Sequence, residues 1–387
     1  MTKLLYFIII VAFLDTFIQL PIITPYAMEL GASNILTGSI IAIYSLANML
    51  GNILAGHWID RFGRKRILLI GMLAVAFILL FYPLAQTGEQ LFLVRLFHGL
   101  AGGALIPAAF AYIGDYTVKG QRGKTMAYTG ACIGTAAIIG PAMGGIIAAT
   151  SSIEFVFFLV AVLFTVTAGL IIVFLKESYV RANRGNVSLS HFVTLLKEPL
   201  LIQASLTAFA LMVSNGTLAF ALPVKVELLG LSSSVTGLLL STFGIVALIV
   251  FLTPINRIYD QYEPMLLVLT GLSFIGVSLV ALSIFQTLFS ISFAMVLYGL
   301  GFALVFPSMN RIVADVSTQV DRGKAYGVFY ASFSLGVVSG SFLSGAIAEI
   351  IGFPFLVSAA IMMSFGVILF FMARKHQVLS KKDVIRS

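Results

Sequence analysis

Asp15, Arg95 and His98 are ionisable side chains set inside long apolar runs, where a charge needs a reason. Asp15 stands in the run 4–28, and a helix rising 1.5 Å per residue carries it about 17 Å from the start of that run, close to a bilayer midplane. Arg95 and His98 share the run 90–113 and are spaced i, i+3, so a helix puts them on one face. A charge at mid-membrane costs about 2.5–3.5 kcal/mol on insertion scales, and residues kept there mark ion or proton pathways by default. These three are therefore expected to face a shared aqueous cavity. Asp15 would load a proton from outside and release it to the cytoplasm, while Arg95 tunes that step or holds an anionic group of a substrate. The plainer alternatives are a static Asp15–Arg95 ion pair that fixes helix packing, and a buried His98 satisfied by a backbone carbonyl.

The elements that must hold these residues follow from composition. The 387 residues are 60% hydrophobic and 10% charged, against about 45–50% and 25% in soluble domains, and the mean hydropathy is +1.07. The net charge of +8 could suggest nucleic acid, but no polar body is left to dock on a duplex, so no nucleic-acid partner is expected. Apolar runs fall at 4–28, 36–56, 67–86, 90–113, 125–149, 153–175, 200–222, 234–255, 265–285, 288–312, 325–349 and 353–373. They are continuous rather than alternating, which predicts an all-α membrane protein of twelve transmembrane helices rather than a barrel. Asp15 interrupts the first run and no small-residue cleavage site follows, so the run reads as a span and not a signal peptide. Every Lys and Arg except Arg95 and Lys225 falls in, or at the edge of, one alternating set of connections, predicting that both termini and the 176–199 linker are cytoplasmic. Within that linker Leu189, Phe192, Val193 and Leu196 could share a helical face on the inner leaflet. The single Cys132 excludes a disulfide scaffold and a cysteine metal cluster.

Offsetting the chain by 200 residues pairs Asp60 with Asp260, Gly99 with Gly299, Pro107 with Pro307 and Asp115 with Asp315. The same offset pairs Arg122-Gly123-Lys124 with Arg322-Gly323-Lys324, and Gly140 and Gly145 with Gly340 and Gly345. Six spans per half return the chain to its starting side, so the halves form a parallel repeat. The expected organisation is an N-terminal six-helix bundle at 1–175, a linker at 176–199, a second bundle at 200–373 and a tail at 374–387.

Between spans 2 and 3, Gly56, Asp60, Arg61, Gly63 and Arg64 stand in a pattern that resembles the cytoplasmic gate motif of the major facilitator superfamily. The resemblance implies that Asp60 sits against the start of span 11 and that Arg64 pairs with Asp115 at the end of span 4. The repeat copy is degenerate, with Glu263 for Gly63 and Pro264 for Arg64, implying a weaker latch there. Arg95, His98, Gly99 and Gly102 are similar to the family's span-4 pattern, although His98 stands where glutamine is commoner. In span 5, Gly130, Gly134, Gly140, Pro141, Gly144 and Gly145 closely resemble the motif of the superfamily's twelve-span drug/proton antiporters. Pro141 removes a backbone donor and kinks the helix, while the glycines admit a neighbour closely, an arrangement that seals the cavity against proton leak.

The second half has no carboxylate to match Asp15. Gln19, Tyr44, Asn48, Asn215, Tyr298 and Asn310 are the polar candidates for lining a largely apolar substrate cavity. The expectation is a proton-coupled exporter of small lipophilic or amphiphilic compounds in the cell membrane, working as a monomer without a cofactor. A dedicated exporter of a metallophore or lipid keeps the same fold. An uptake symporter is disfavoured by the span-5 motif, an enzyme by four scattered histidines, and a channel by the lack of a charged ring.

Overall fold

Proline, glycine and hydroxyl residues cut the apolar runs into helices at identifiable points. The computed structural model describes residues 2–116, 122–178, 198–317 and 322–386, and no strand occurs among them. Span 1 is the bent pair Lys3–Ile18 and Ile23–Glu29; span 2 is Asn34–Phe62 and span 3 is Arg64–Leu79 with the turn Tyr82–Leu84. Span 4 is Gly88–Gly102 with Leu105–Tyr116, span 5 Arg122–Thr150 and span 6 Ile153–Phe174. Spans 7 to 12 are Pro199–Leu228, Ser233–Leu252, Pro264–Ile284, Leu288–Val316, Arg322–Ile350 and Pro354–Arg386. Among the described residues eleven helices are long and apolar enough to cross a membrane, or twelve when the bent pair counts as one span. Such helices satisfy their backbone groups internally, as hydrocarbon demands.

Ser33, Thr87, Ser152 and Thr287 cap spans 2, 4, 6 and 10, each side-chain oxygen accepting from the backbone N–H three residues on. Two of the expected runs are not continuous. Span 1 bends by 45° at residues 19–22, because Pro21 has no N–H to donate and its ring crowds the carbonyl four residues back. The backbone tightens there, with Leu20 N–H donating to Phe17 O at 3.3 Å and Ile22 N–H to Gln19 O at 3.1 Å. Span 4 breaks at Gly103 and Ala104. The last helix runs on to Arg386, through the segment expected as a tail. The linker face at Leu189, Phe192, Val193 and Leu196 lies outside the described residues.

The chain forms two compact units, Met1–Arg184 with Ala219–Gly244, and Gly185–Leu218 with Ile245–Ser387. In the first, span 1 packs on span 5, span 2 on span 4 and span 3 on span 6. Gly99 and Gly103 bring the span-4 backbone onto span 2 at Tyr44 and Asn48, where any larger side chain would collide with main chain. That approach sets Arg95 and His98 beside Tyr44. In the second unit, span 9 packs on spans 10 and 12, and Ser278 ties spans 9 and 10 by donating to Ala294 O at 2.6 Å.

Candidate functional site

Asp15, Gln19, Arg95 and His98 meet inside the first unit in one hydrogen-bonded chain. The two carboxylate oxygens of Asp15 are served separately. Gln19 Nε2 donates to Oδ1 at 2.7 Å, and His98 Nε2 lies 3.0 Å from Oδ2. Asp15 and Gln19 are one helical turn apart on span 1, so this contact is local. Arg95 Nη1 donates to Gln19 Oε1 at 2.6 Å and its Nε to Ile40 O at 3.3 Å, with the guanidinium carbon 4.3 Å from the centre of the Tyr44 ring. An arginine only donates and a carboxylate only accepts, which fixes the orientation of the amide between them. On the far side of His98, Nδ1 is 2.8 Å from the Tyr82 hydroxyl. Tyr82 is itself held by the Tyr26 hydroxyl, which donates to its carbonyl at 2.6 Å, and by stacking on Phe157 at 4.0 Å.

The three ionisable residues singled out by the sequence are thus brought together, but in a different order from either expectation. Asp15 bonds directly to His98, and Arg95 is joined to it through Gln19. No direct Asp15–Arg95 bond carries the arrangement. Asp15, Arg95 and His98 are 1%, 5% and 0% exposed, so the chain is buried rather than on the wall of an open aqueous cavity. His98 is satisfied by side chains on both nitrogens and not by a backbone carbonyl. A buried carboxylate and guanidinium joined through hydrogen bonds leave the site neutral while both are charged, and losing one partner would strand the other.

At the other end of the same unit the gate motif has the expected partner. Arg64 Nε lies 3.0 Å from Asp115 Oδ2, and Ser178 Oγ donates to the same oxygen at 2.9 Å. A third participant was not foreseen. Glu177, just beyond span 6, places Oε1 2.9 Å from Arg64 N and 3.3 Å from Lys65 N, capping the first turn of span 3. Gly63 makes room for it: its φ of +101° is glycine territory, and a Cβ there would run into the Glu177 carboxylate. The only advance signal for Glu177 was an acid amid the basic residues that follow span 6. Arg61 stacks over Phe62 at 5.3 Å, and Gly56 has open space beside it. The side chain of Asp60 lies outside the described residues. In the repeat copy Arg311 takes Asp315 from its own helix at a longer 3.7 Å and also donates to Tyr259 O.

The span-5 glycines divide into two groups. Gly140 and Gly144 abut Phe17 and Ile18 of span 1, between Asp15 and the bend, while Gly145 abuts Ser233 of span 8. The carbonyl of Pro141 meets Gly237 in the same contact, and Ser241 donates to Ile138 O at 2.6 Å. Gly130 and Gly134 have open space around them, so the close packing is confined to the end of the motif.

Among the cavity candidates, Gln19 and Tyr44 belong to the buried chain, and Asn48 accepts from Asn52 at 2.9 Å within its own helix. Asn215, Tyr298 and Asn310 belong to the second unit. There the fully buried Tyr298 hydroxyl meets Ser214 Oγ at 2.8 Å, and Asn310 donates to Phe306 O at 2.8 Å in its own helix. Sequence reasoning missed Tyr82, whose ring read as apolar packing at the end of span 3.

A repeated helical bundle with a titratable chain buried in one half defines a membrane transporter rather than an enzyme. The family model of the Major Facilitator Superfamily matches residues 5–212 and again 204–386, and the chain belongs to that superfamily. It is 26% identical over 370 residues to multidrug resistance protein 2 of Bacillus subtilis (strain 168), covering 92% of this chain and 90% of the relative. It is 25% identical over 375 residues to multidrug resistance protein MdtG of Escherichia coli O9:H4 (strain HS), covering 92% and 91%. Solved structures with the same fold include a bacterial homologue of the human lysosomal transporter Spinster, inward-facing and occupied. Its TM-score is 0.81 at 14% identity, covering 96% of both chains. The nucleoside transporter NupG superposes with a TM-score of 0.79 at 17% identity, covering 96% of this chain and 99% of that one.

Proposed function

We propose that this protein is a proton-coupled antiporter that exports small lipophilic or amphiphilic compounds across the cell membrane by alternating access. In this reading both termini are cytoplasmic, the working unit is a monomer, and the proton gradient supplies the energy without a cofactor. The observation that carries the reading is the buried chain from Tyr82 through His98, Asp15 and Gln19 to Arg95. A proton arriving on Asp15 removes its negative charge and leaves Arg95 as the net charge of the site. A buried, uncompensated charge is costly, so the loaded and unloaded forms favour different packings around spans 1 and 4. Substrate export is coupled when binding favours the form that has released its proton. The glycine contacts of span 5 against Phe17 and Ile18 join that packing to the antiporter-like motif. The multidrug resistance names of the Bacillus and Escherichia relatives support export of drug-like compounds.

The test is purified protein in liposomes with an imposed pH gradient and a panel of dyes, antibiotics and metallophores. Proton release on adding one compound, and gradient-driven movement of that compound, are the expected results. Asp15→Asn keeps the shape of the side chain and should abolish the response to the gradient. An Asp15→Asn protein that moves substrate with the wild-type response to the gradient overturns the reading.

A further inference from the structure

His98 has a titratable or polar partner on each ring nitrogen, and the two partners differ in kind. Nε2 faces the Asp15 carboxylate at 3.0 Å, and Nδ1 faces the Tyr82 hydroxyl at 2.8 Å. A neutral imidazole carries one N–H, so one nitrogen donates and the other accepts. A charged carboxylate can only accept, which puts the proton of an unloaded site on Nε2 and makes Nδ1 an acceptor from Tyr82. A protonated Asp15 can donate, and then the opposite tautomer fits, with Nδ1–H donating to the Tyr82 oxygen. A hydroxyl serves in either role by rotating its hydrogen, so both arrangements keep both ring nitrogens of His98 paired with no movement of heavy atoms.

We infer that His98 is a tautomeric proton relay into Asp15, and that Tyr82 is the positioning residue that lets it reverse. A proton supplied by the gradient binds the Tyr82 oxygen as that hydroxyl's own O–H bond breaks and its proton passes to Nδ1, so the phenol stays neutral and Nδ1–H forms. The Nε2–H bond then breaks, and its proton forms Oδ2–H on Asp15. The imidazole ends neutral, with its tautomer inverted, and one net proton has been gained by Asp15. Release runs the same steps backwards. The other groups around the ring are accounted for. Tyr44 of span 2 meets it edge-on at 5.2 Å, Arg95 of span 4 is held by Gln19 and Ile40 and also faces the Tyr82 hydroxyl as a donor, and Tyr26 bonds the Tyr82 carbonyl and not its hydroxyl. The ring of Tyr82 is fixed independently of its hydroxyl by the stack on Phe157, so Tyr82→Phe removes the reversible partner and keeps the packing.

The inference rests on the antiport reading only for its transport consequence, and the decisive experiment reads the ring itself. Protein labelled with ring-¹⁵N histidine is followed by NMR across a pH titration, with the His98 signals identified by their loss in His98→Gln. The expected wild-type result is a neutral imidazole that changes from Nε2–H at high pH to Nδ1–H at low pH. Tyr82→Phe should lose that inversion, and gradient-driven transport should fall about tenfold, the size of one missing hydrogen bond near a charge. Tyr26→Phe, which leaves the Tyr82 hydroxyl in place, should keep the inversion. Three outcomes overturn the inference: a single tautomer at all pH values, direct passage to a doubly protonated imidazolium, or an inversion that survives in Tyr82→Phe. If the inversion is seen but Asp15→Asn transports with the wild-type gradient response, the antiport reading fails and the relay stands.

Discussion

The two halves carry the same helices at an offset of 200 residues, yet their buried polar positions differ in kind. Asp15, Gln19, Tyr82, Arg95 and His98 are answered by Asn215, Ala219, Leu282, Met295 and Tyr298. The first half has a carboxylate, an imidazole and a guanidinium joined in one chain. The second keeps hydroxyls: Tyr298 with Ser214, and Thr217 between Ser344 and Ser358, each of its bonds to them 3.0 Å long. Hydroxyls of this sort join helices without changing charge over any physiological pH. One scaffold therefore holds two kinds of interior, a half with buried ionisable groups and a half that is merely polar. The basic ends of the spans repeat the contrast, with Arg64 joined to Asp115 across two spans in the first half and Arg311 joined to Asp315 within one helix in the second.

Exchanging residues between matching positions tests this division. Arg95→Met, which copies Met295, should have the largest effect, since it strands a buried carboxylate and costs about 3–5 kcal/mol. The midpoint of thermal unfolding should fall accordingly, and adding Asp15→Asn should restore most of the loss. Full stability in Arg95→Met alone would mean that the chain is not held by charge. Asn215→Asp, the reverse transplant, introduces a carboxylate with no guanidinium partner. Insertion costs of about 2.5–3.5 kcal/mol predict lower yield and stability without any new response to a proton gradient. The latches give the smallest effects. Removing the Glu177 cap with Glu177→Gln should cost about 1 kcal/mol, whereas Arg311→Ala, breaking a solvent-facing pair, should cost no more than about 0.5 kcal/mol. Equal losses at the two ends would erase the contrast between them.

The division was partly visible in the chain before folding. Asp15, Arg95 and His98 stood out because a charge inside an apolar run has no cheap explanation, and the Arg64–Asp115 pair followed from the motif that resembles the gate of the superfamily. What lay hidden was the wiring. Gln19 read as a possible substrate contact, and only the packing of span 1 on spans 2 and 4 reveals that it stands between carboxylate and guanidinium. Tyr82 was invisible because a tyrosine at the end of an apolar run looks the same whether its hydroxyl meets water or a histidine. Glu177 joins span 3 over more than a hundred residues of sequence, a distance at which local patterns say nothing. The bend in span 1 had a signal in Pro21, but hydropathy averages over a single proline. Asn48 and Asn310 read as cavity residues by type alone, and both spend polar groups inside their own helices.

The amide of Gln19 has a consequence of its own. An amide takes up no proton and gives none away, so it behaves as an insulator between a charge that never changes and one that can. Had Arg95 gripped Asp15 directly, discharging the acid would have released the arginine, and the anchor would have moved with the signal. With Gln19 between them, Arg95 stays fastened to the amide oxygen, the Ile40 carbonyl and the Tyr44 ring whatever Asp15 does. In the proposed cycle the switch is thrown without loosening its mounting.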